Sequence, residues 1–405
     1  MGNEESMIVA GGGPVGVVAA LAAARAGFRV TLLEAAAEAD RNPRAATTHP
    51  STLEMIDRVG LLKRFIAEGL VARYFQFWDR ETGEKIAEFD HDLLRNDTRF
   101  PFVVQTEQHK LVIMGMDALR TMPNAEVRQN ARVAGFVQDT EGVTVEIEEA
   151  AGAERLRAHW LVGADGGRST VRKTLDIEFE GYTWPERFLV LTVADDMDAL
   201  IGCTLRTYFA GRGGEWTNLF KVSGDDGRGR WRAVFPARVD EPEDEAMSDV
   251  AVNERLQGLH PNPRGYTVLH RNIYNVHQRV AGRFRVNRVF LAGDSSHLNN
   301  PIGGLGLNFG IHDAMDLVDT LCVHVFHDAP EATLDGYERR RRRLNIDFVQ
   351  RQTVENKRRL EETDPQLRRS RLDELRSVAA DPAKARAFLL RSSLIESVRL
   401  ASTLA

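Results

Sequence analysis

The spacing of apolar residues changes several times within the first hundred positions. Residues 7–10 form a short unbroken apolar run that stops at Gly11, Gly12 and Gly13. A run of that length bounded by glycine reads as a buried strand. Pro14 suits the first turn of a helix, where its missing N–H is no loss. Residues 15–26 are strong helix formers, and Gly27 stands where a helix end favours a left-handed residue. Residues 28–33 predict a second buried strand that delivers Glu34. Ser51-Thr52-Leu53-Glu54 has capping-box spacing and predicts a helix running to about residue 65.

From residue 74 to 89 the pattern becomes that of short strands, with a hairpin turn at Thr82-Gly83. Residues 105–119 read as helix, 127–137 and 143–147 as alternating strands, and 160–164 as another buried strand. Between about residues 175 and 275 the chain is strand-rich. Gly211-Arg212-Gly213-Gly214 and Gly224-Asp225-Asp226-Gly227 read there as loops of an antiparallel sheet. Residues 286–292 return to a buried strand, and from Leu307 onward the pattern is helical. No internal repeat is visible. A nucleotide-binding part interrupted by an antiparallel part accounts for this order.

Composition narrows the class. A chain of 405 residues predicts two domains, or one large domain with an insertion. A net charge of −6 argues against a nucleic-acid partner. Cys203 and Cys322 lie far apart and have no metal-ligand spacing, so no zinc or other metal site is expected. Two cysteines and no signal peptide point to the cytoplasm. The apolar stretches are too short for an integral membrane segment. Met1-Gly2-Asn3-Glu4-Glu5-Ser6 fits the bare myristoylation pattern, but a strand starting at about Met7 leaves no free arm. The run Arg339 to Arg343 circles a helix and reads as a solvated face, not a nucleic-acid patch.

Three motifs carry chemistry. Gly11-Gly12-Gly13-Pro14-Val15-Gly16 is G-x-G-x-x-G in a strand–turn–helix setting. Gly11 permits the turn, Gly13 lets a pyrophosphate approach backbone, and Gly16 lets the helix pack on the strand. The helix start at Val15 aims unpaired N–H groups at phosphate. Glu34, about twenty residues on, stands where an acid binds ribose. This motif alone does not separate FAD from NAD. Leu161-Val162-Gly163-Ala164-Asp165-Gly166 delivers a second acid into a glycine turn. Val289-Phe290-Leu291-Ala292-Gly293-Asp294 repeats the device, and Pro301-Ile302-Gly303-Gly304-Leu305-Gly306-Leu307-Asn308 opens a helix. Taken singly, each is also a strand–turn with a turn-favouring Asp.

In this order the three motifs resemble the aromatic-ring branch of FAD-dependent monooxygenases, the para-hydroxybenzoate hydroxylase-like family, over roughly residues 7–340. The look is closest to phenylpropionate- and polyketide-type hydroxylases. The resemblance implies an α/β fold (α+β overall): a Rossmann-like FAD-binding domain, an inserted antiparallel-sheet substrate domain and a helical C-terminus. Residues 1–73, 105–174 and 276–335 would form the FAD-binding part. Residues 74–104 and 175–275 would form the substrate domain, and 336–405 the C-terminal helices. It further implies that Glu34 meets the adenosine ribose, Asp294 the ribityl or pyrophosphate region, and Asp165 both FAD and the nicotinamide donor. Pro301, Gly304 and Gly306 belong to the loop at the flavin, where Leu307 and Asn308 would offer backbone N–H groups. Arg44 would lie near the flavin, Gln105 would open a helix and touch the FAD chain, and Val133 would meet the adenine through its backbone. One departure is Ser295-Ser296-His297-Leu298-Asn299-Asn300, where relatives more often have Ala-Ala-His and a second proline. It makes the wall beside the flavin more polar.

The implied cofactor is FAD, with NADH or NADPH and O₂ as co-substrates and a small aromatic molecule as substrate, in a monomer or homodimer. No second G-x-G-x-x-G offers a separate NAD(P)H fold, which suits a hydroxylase better than a two-nucleotide reductase. The implied mechanism is a flavin C4a-hydroperoxide attacking an electron-rich ring. Candidate protein bases are Tyr208, on a strand face with Thr204 and Arg206, and His49. Trp216 and Asn218 share another strand face. His297 reads as a brace of the glycine loop. The alternatives are an FAD-dependent dehydrogenase or oxidase, or a catalytically silent FAD-binding protein. No Trp-x-Trp-x-Ile-Pro segment supports a halogenase.

Overall fold

The computed structural model describes residues 5–150, 152–211 and 215–404. Its first sheet has six strands in the order Arg285–Val286, Val289–Leu291, Trp160–Gly163, Ser6–Ala10, Arg29–Glu34 and Ala125–Gln129. The last five run parallel, and Arg285–Val286 turns back antiparallel at the edge. Parallel strands are covered on both faces, which is why residues 7–10 need to be apolar without alternation. The helix Pro14–Ala26 covers this sheet and packs on the long helix Leu305–Phe326. Val15 seats them together. A Cβ on either Gly293 or Gly310 would come within 2.8 Å of its side chain.

The second sheet has eight strands, ordered His297–Leu298, Val268–Ala281, Phe179–Val193, Arg230–Ala237, Thr217–Val222, Arg206–Ala210, Tyr74–Asp79 and Glu84–Asp90. Its neighbours are antiparallel except for Arg206–Ala210 beside Tyr74–Asp79. The two-residue period gives it two different faces. Leu189, Leu191, Leu219, Trp231 and Phe235 face a core closed by Val252 and Leu256 of the helix Asp249–Leu259. Phe75, Phe77, Phe188, Val190 and Tyr208 face the other way, toward Leu360, Leu372, Leu375 and Leu389 of the C-terminal helices.

Several sequence expectations need correction. The predicted helix over 51–65 is two helices, Pro50–Arg58 and Leu62–Glu68, broken at Gly60, whose φ is +76°. Ser51 does not cap it: His49 is the N-cap, and the Ser51 hydroxyl donates to Ser393 O. Gln105 ends the strand Val103–Gln105 instead of opening the helix, which starts at Gln108. The expected strand over 127–137 is two, split at Asn130 with φ +57°. The strand over 286–292 is likewise a hairpin turning at Asn287. Asn at positive φ is the local cause in both. The strand-rich stretch also holds the helix Asp249–Leu259. Cys203 is buried and its thiol pKa is pushed up to about 12 by burial, whereas Cys322 is only half-buried. Arg212 to Gly214 of the first expected loop, and residues 1–4 of the myristoylation pattern, lie outside the described residues.

The arginine run is not solvated throughout: Arg339 and Arg343 are exposed, but one member is not. Arg341 is buried, and its Nε donates to Asp313 Oδ1 at 2.7 Å. Asp313 also accepts from His297 Nε2 at 2.7 Å and from the Gly293 amide at 3.1 Å. Burial works to raise the Asp313 carboxyl pKa, but Arg341 and His297 hold it below the ordinary value. Arg340 pairs with Asp316 on the same long helix. Removing one member of a buried pair leaves the other charge uncompensated. Asp313→Ala is therefore expected to cost about 3–5 kcal/mol of stability, read as an earlier urea midpoint. Arg343→Ala, on the exposed side, should leave the midpoint in place.

Candidate active site

The first glycine motif is built by close backbone approach. A Cβ on Gly16 would lie 1.9 Å from Gly11 O, and one on Gly11 would lie 2.4 Å from Ala164 O. Gly13 is different, since a Cβ there meets nothing within 4 Å. The chain thus crowds Gly11 and Gly16 and leaves open space over Gly13, at the start of a 13-residue helix. That is the cradle a pyrophosphate requires. Glu34 reaches into it, its carboxylate accepting the Gly12 amide at 2.6 Å and the Ala36 amide at 2.7 Å. Val133 is buried on the strand Arg132–Gln138, close to Ala131, whose amide bonds Glu34 O.

The two later acids behave differently. Asp165 is held by its own turn, accepting from Ser169 Oγ at 2.5 Å and the Val171 amide at 3.0 Å. Asp294 accepts no side-chain hydrogen bond among the described residues. It is exposed yet hemmed in by protein, and this crowding raises its carboxyl pKa against the pull of His297 and Arg44. An acid placed so has lone pairs free for hydroxyl donors.

Gly303 and Gly304 both have positive φ, +107° and +68°, and Gly304 is the N-cap of the long helix Leu305–Phe326 without a side-chain cap. Gly306 and Leu307 lie in the first turn, where amides lack helical acceptors, and Pro301 is exposed just before it. Asn308 ties the loop to the segment 47–49. Its side-chain amide donates to Thr47 O and Gly304 O and accepts from the His49 amide. Thr47 in turn bonds Gln105, whose buried Nε2 has no partner.

His49 is fully buried, which sequence reasoning did not foresee. A carbonyl only accepts, so its Nε2–H donates to Gly303 O at 2.9 Å and Nδ1 keeps a lone pair. Burial, then the charge of Arg206, holds its pKa well below the ordinary value. It is a neutral brace for the glycine loop. Arg44 is exposed, bonded to Asp40, and its carbonyl accepts from Arg232 Nη1 at 2.8 Å.

Tyr208 is on the inward sheet face, and Asn218 stands opposite it on the neighbouring strand. Trp216 packs in the same cluster as Tyr208, so these residues line one face and not two. The Tyr208 hydroxyl accepts from Arg206 Nη2 at 2.8 Å and Nε at 3.2 Å. That contact makes Tyr208 a partner of a cation.

Two buried groups on this face, Arg232 and Thr192, escaped the sequence reading. Arg232 has an unpartnered Nε, and burial draws its pKa down to about 10 against the opposing influence of Glu107. Thr192 Oγ1 and Asn218 Oδ1 are also unpartnered. The available signal was alternation: Arg232 occupies the inward period between Trp231 and Ala233, which face the opposite core. His91 was missed as well. Its Nδ1–H donates to Arg73 O at 2.7 Å, and Nε2 has no partner.

Between the glycine loop, the sheet face and the C-terminal helices lies a narrow cavity. Phe75, Phe77, Tyr208 and Phe388 give it aromatic walls, while Ile302, Gly303 and Leu305 form the side toward the loop. A flat ring ligand suits such a lining.

Two substitutions separate the roles of the glycines. Gly13→Ala places its methyl in open space, so the apoprotein should melt as wild type but lose most bound flavin, read by absorbance. Gly16→Ala collides with Gly11 O and should lower the melting temperature of the apoprotein itself.

An FAD binding domain family model matches residues 4–352. The chain is 36% identical to a para-nitrophenol 4-monooxygenase of Pseudomonas sp. (strain WBC-3), covering 95% of this chain and 94% of that protein. It is 33% identical to a 6-hydroxy-3-succinoylpyridine 3-monooxygenase of Pseudomonas putida (strain DSM 28022 / S16), over 90% and 91% of the two chains. The solved p-nitrophenol 4-monooxygenase of Pseudomonas putida DLL-E4 superposes with a TM-score of 0.90 at 33% identity, covering 97% of this chain and 98% of that one. Against a phenylpropionate/hydroxycinnamic acid hydroxylase of Mycobacterium sp. (strain JLS), identity is 29% over 84% of this chain and 58% of that protein. With cradle, glycine loop and aromatic cavity in one frame, the chain belongs to the FAD binding domain family and is an FAD-dependent aromatic-ring monooxygenase.

Proposed function

We propose that this enzyme is a single-component hydroxylase that uses NADH or NADPH and O₂ to hydroxylate a phenol or a related hydroxylated ring. The observation that carries the reading is the aromatic cavity set directly against Gly303 and Leu305, at the start of the long helix. Two of the relatives above are named for a nitrophenol and a hydroxypyridine derivative, both hydroxylated aromatic rings.

In this reading Gly11, Gly13, Val15 and Gly16 hold the pyrophosphate of FAD, and Glu34 and Val133 hold its adenosine end. Asp294, with its unpaired carboxylate, takes ribityl hydroxyls, and Gln105 offers its orphaned amide to the same chain. Gly304, Gly306, Leu307 and Asn308 shape the loop facing the ring system, with Pro301 setting its entrance, and Arg44 flanks it. Asp165 keeps its turn rigid and serves the nicotinamide side. When bound, the flavin supplies reduction by NAD(P)H and activation of O₂. The protein orients the ring, excludes water through Phe75, Phe77 and Phe388, and stabilises negative charge through unpaired amides at the helix start.

Reduction needs to wait for substrate, since reduced flavin otherwise wastes O₂ as peroxide. NAD(P)H oxidation should therefore accelerate severalfold or more when a suitable phenol is added, measured by stopped flow. With labelled O₂, one labelled atom should enter the product and the other water. Peroxide as the sole oxygen product across a broad phenol panel would favour an oxidase instead.

A further inference from the structure

A second, roomier recess opens outside the aromatic cavity. It lies between Tyr182 and Gln278 of the two long strands and the helices Arg351–Glu361, Pro365–Ala380 and Pro382–Ser392. Its charge is one-sided. Arg351, Arg358, Arg359 and Arg391 line it against Glu355 and Glu374, two positive charges in excess within a chain of net charge −6. Arg351 and Arg359 have carboxylates near them, Asp347 at 3.4 Å and Glu355 at 3.9 Å. Arg358 and Arg391 are exposed and pair with no carboxylate among the described residues. These two cations come from different helices around one recess, so their fields add there instead of spreading around a single helix.

The recess also offers a ring and a buried amide. Tyr182 is 46% exposed, and its ring stands edge-on to Trp184 at 5.1 Å while Lys357 lies over Trp184 at 4.4 Å. Burial raises the Tyr182 hydroxyl pKa, and Arg358 is close enough to oppose that rise. The exposed ring and a free cation are therefore neighbours. Gln352 is 8% exposed, and its Oε1 has no partner. Gln350 ends the π-helical segment Asn345–Gln350, a kind of turn frequent at functional sites, and its Nε2 donates to Leu298 O at 3.2 Å. Leu298 in turn abuts the Asp165 turn, since a Cβ on Gly167 would lie 3.0 Å from its side chain.

We infer that this recess docks the adenosine diphosphate half of the nicotinamide donor. The pyrophosphate lies between Arg358 and Arg391, the adenine rests on Tyr182, and the nicotinamide end runs along Leu298 toward the Asp165 turn. The inference rests on the proposed function in taking NAD(P)H as the reductant. Guanidinium forks hold phosphate oxygens through charge-assisted hydrogen bonds, an exposed aromatic ring stacks a purine, and Gln352 Oε1 can accept from a ribose hydroxyl. The glycine cradle at Gly11 to Gly16 is taken by FAD in this reading, so a second nucleotide needs a site made of side chains. Exposed side chains also suit a donor that leaves after each reduction.

The test is calorimetric binding of ADP-ribose and of its 2′-phosphate to oxidised, FAD-loaded enzyme, beside steady-state reduction by NADH and NADPH. At least one probe should bind wild type and compete with the donor. Arg358→Glu and Arg391→Glu should each weaken that probe about tenfold or more, as expected for losing a charge-assisted contact. The KM for the donor should rise in step while kcat, flavin content and melting temperature hold. Tyr182→Ala should weaken the probe severalfold, and Tyr182→Phe should keep it. Arg155→Glu makes the same charge change on the distant strand Gly152–Ala158 and should alter nothing. The inference is overturned if neither probe binds wild type at millimolar concentration, if both arginine variants bind as wild type does, or if Arg155→Glu weakens binding equally. If NAD(P)H reduces the flavin while those variants keep the wild-type KM, the inference falls and the hydroxylase reading stands. If neither donor reduces the flavin but ADP-ribose binding is lost with Arg358 and Arg391, the donor reading falls and the nucleotide site stands.

Discussion

Asp313 is the fixed point of the molecule. It sits in the middle of the long helix Leu305–Phe326, fully buried, and its two oxygens are shared among Arg341, His297 and the Gly293 amide. Those partners come from three places: the C-terminal helix Asp335–Leu344, the short strand His297–Leu298, and the turn that presents Asp294. A buried carboxylate tolerates such a position only with good hydrogen bonds to opposite charge. The Arg341 guanidinium also lies over the Phe309 ring at 3.8 Å, so the pair is covered as well as satisfied. One result is that Asp294 and the Gly303–Gly304 loop, at opposite ends of the departing segment, keep a fixed separation. These two parts of the candidate site are thereby held by elements that do not move independently.

The second consequence concerns where the substrate pocket can be. The parallel sheet contributes backbone amides, open space over Gly13 and the acid Glu34 at a strand end, while most of its other side chains are spent on packing. The eight-stranded sheet contributes a face half apolar and half polar, turned toward the glycine loop and covered by the C-terminal helices. That junction holds four of the buried polar atoms without a partner among the described residues: Gln105 Nε2, Thr192 Oγ1, Asn218 Oδ1 and Arg232 Nε; others lie elsewhere, among them His312 Nδ1, Ser393 Oγ and Ser397 Oγ. Unpaired buried polar groups normally cost about 1–3 kcal/mol each.

What the sequence made legible follows from locality. The cradle at Gly11 to Gly16, the helix start at Pro14, the left-handed Gly27 and the acid at Glu34 are encoded within thirty residues, and each was readable from neighbours alone. The glycine loop before Leu305 was readable for the same reason. Boundaries failed where one residue turned the chain inside a continuous pattern, as at Asn130 and Asn287, because alternation and apolarity carry no record of φ. The arginine run was misread because burial of Arg341 depends on Asp313, which is 28 residues away on another helix. His49 and Tyr208 were identified as site residues, but their chemistry depends on Arg206 and Gly303, partners that pattern reading does not supply. Arg232 was marked by its inward position in an alternating strand, and that signal was available.

These partnerships also decide which residue can do which job. A phenol proton needs an acceptor of suitable basicity and reach. Tyr208 already accepts two hydrogen bonds from Arg206, so its hydroxyl proton is free to be donated but its lone pairs are engaged. His49 donates to Gly303 O and is held neutral far below its ordinary range, which suits a brace.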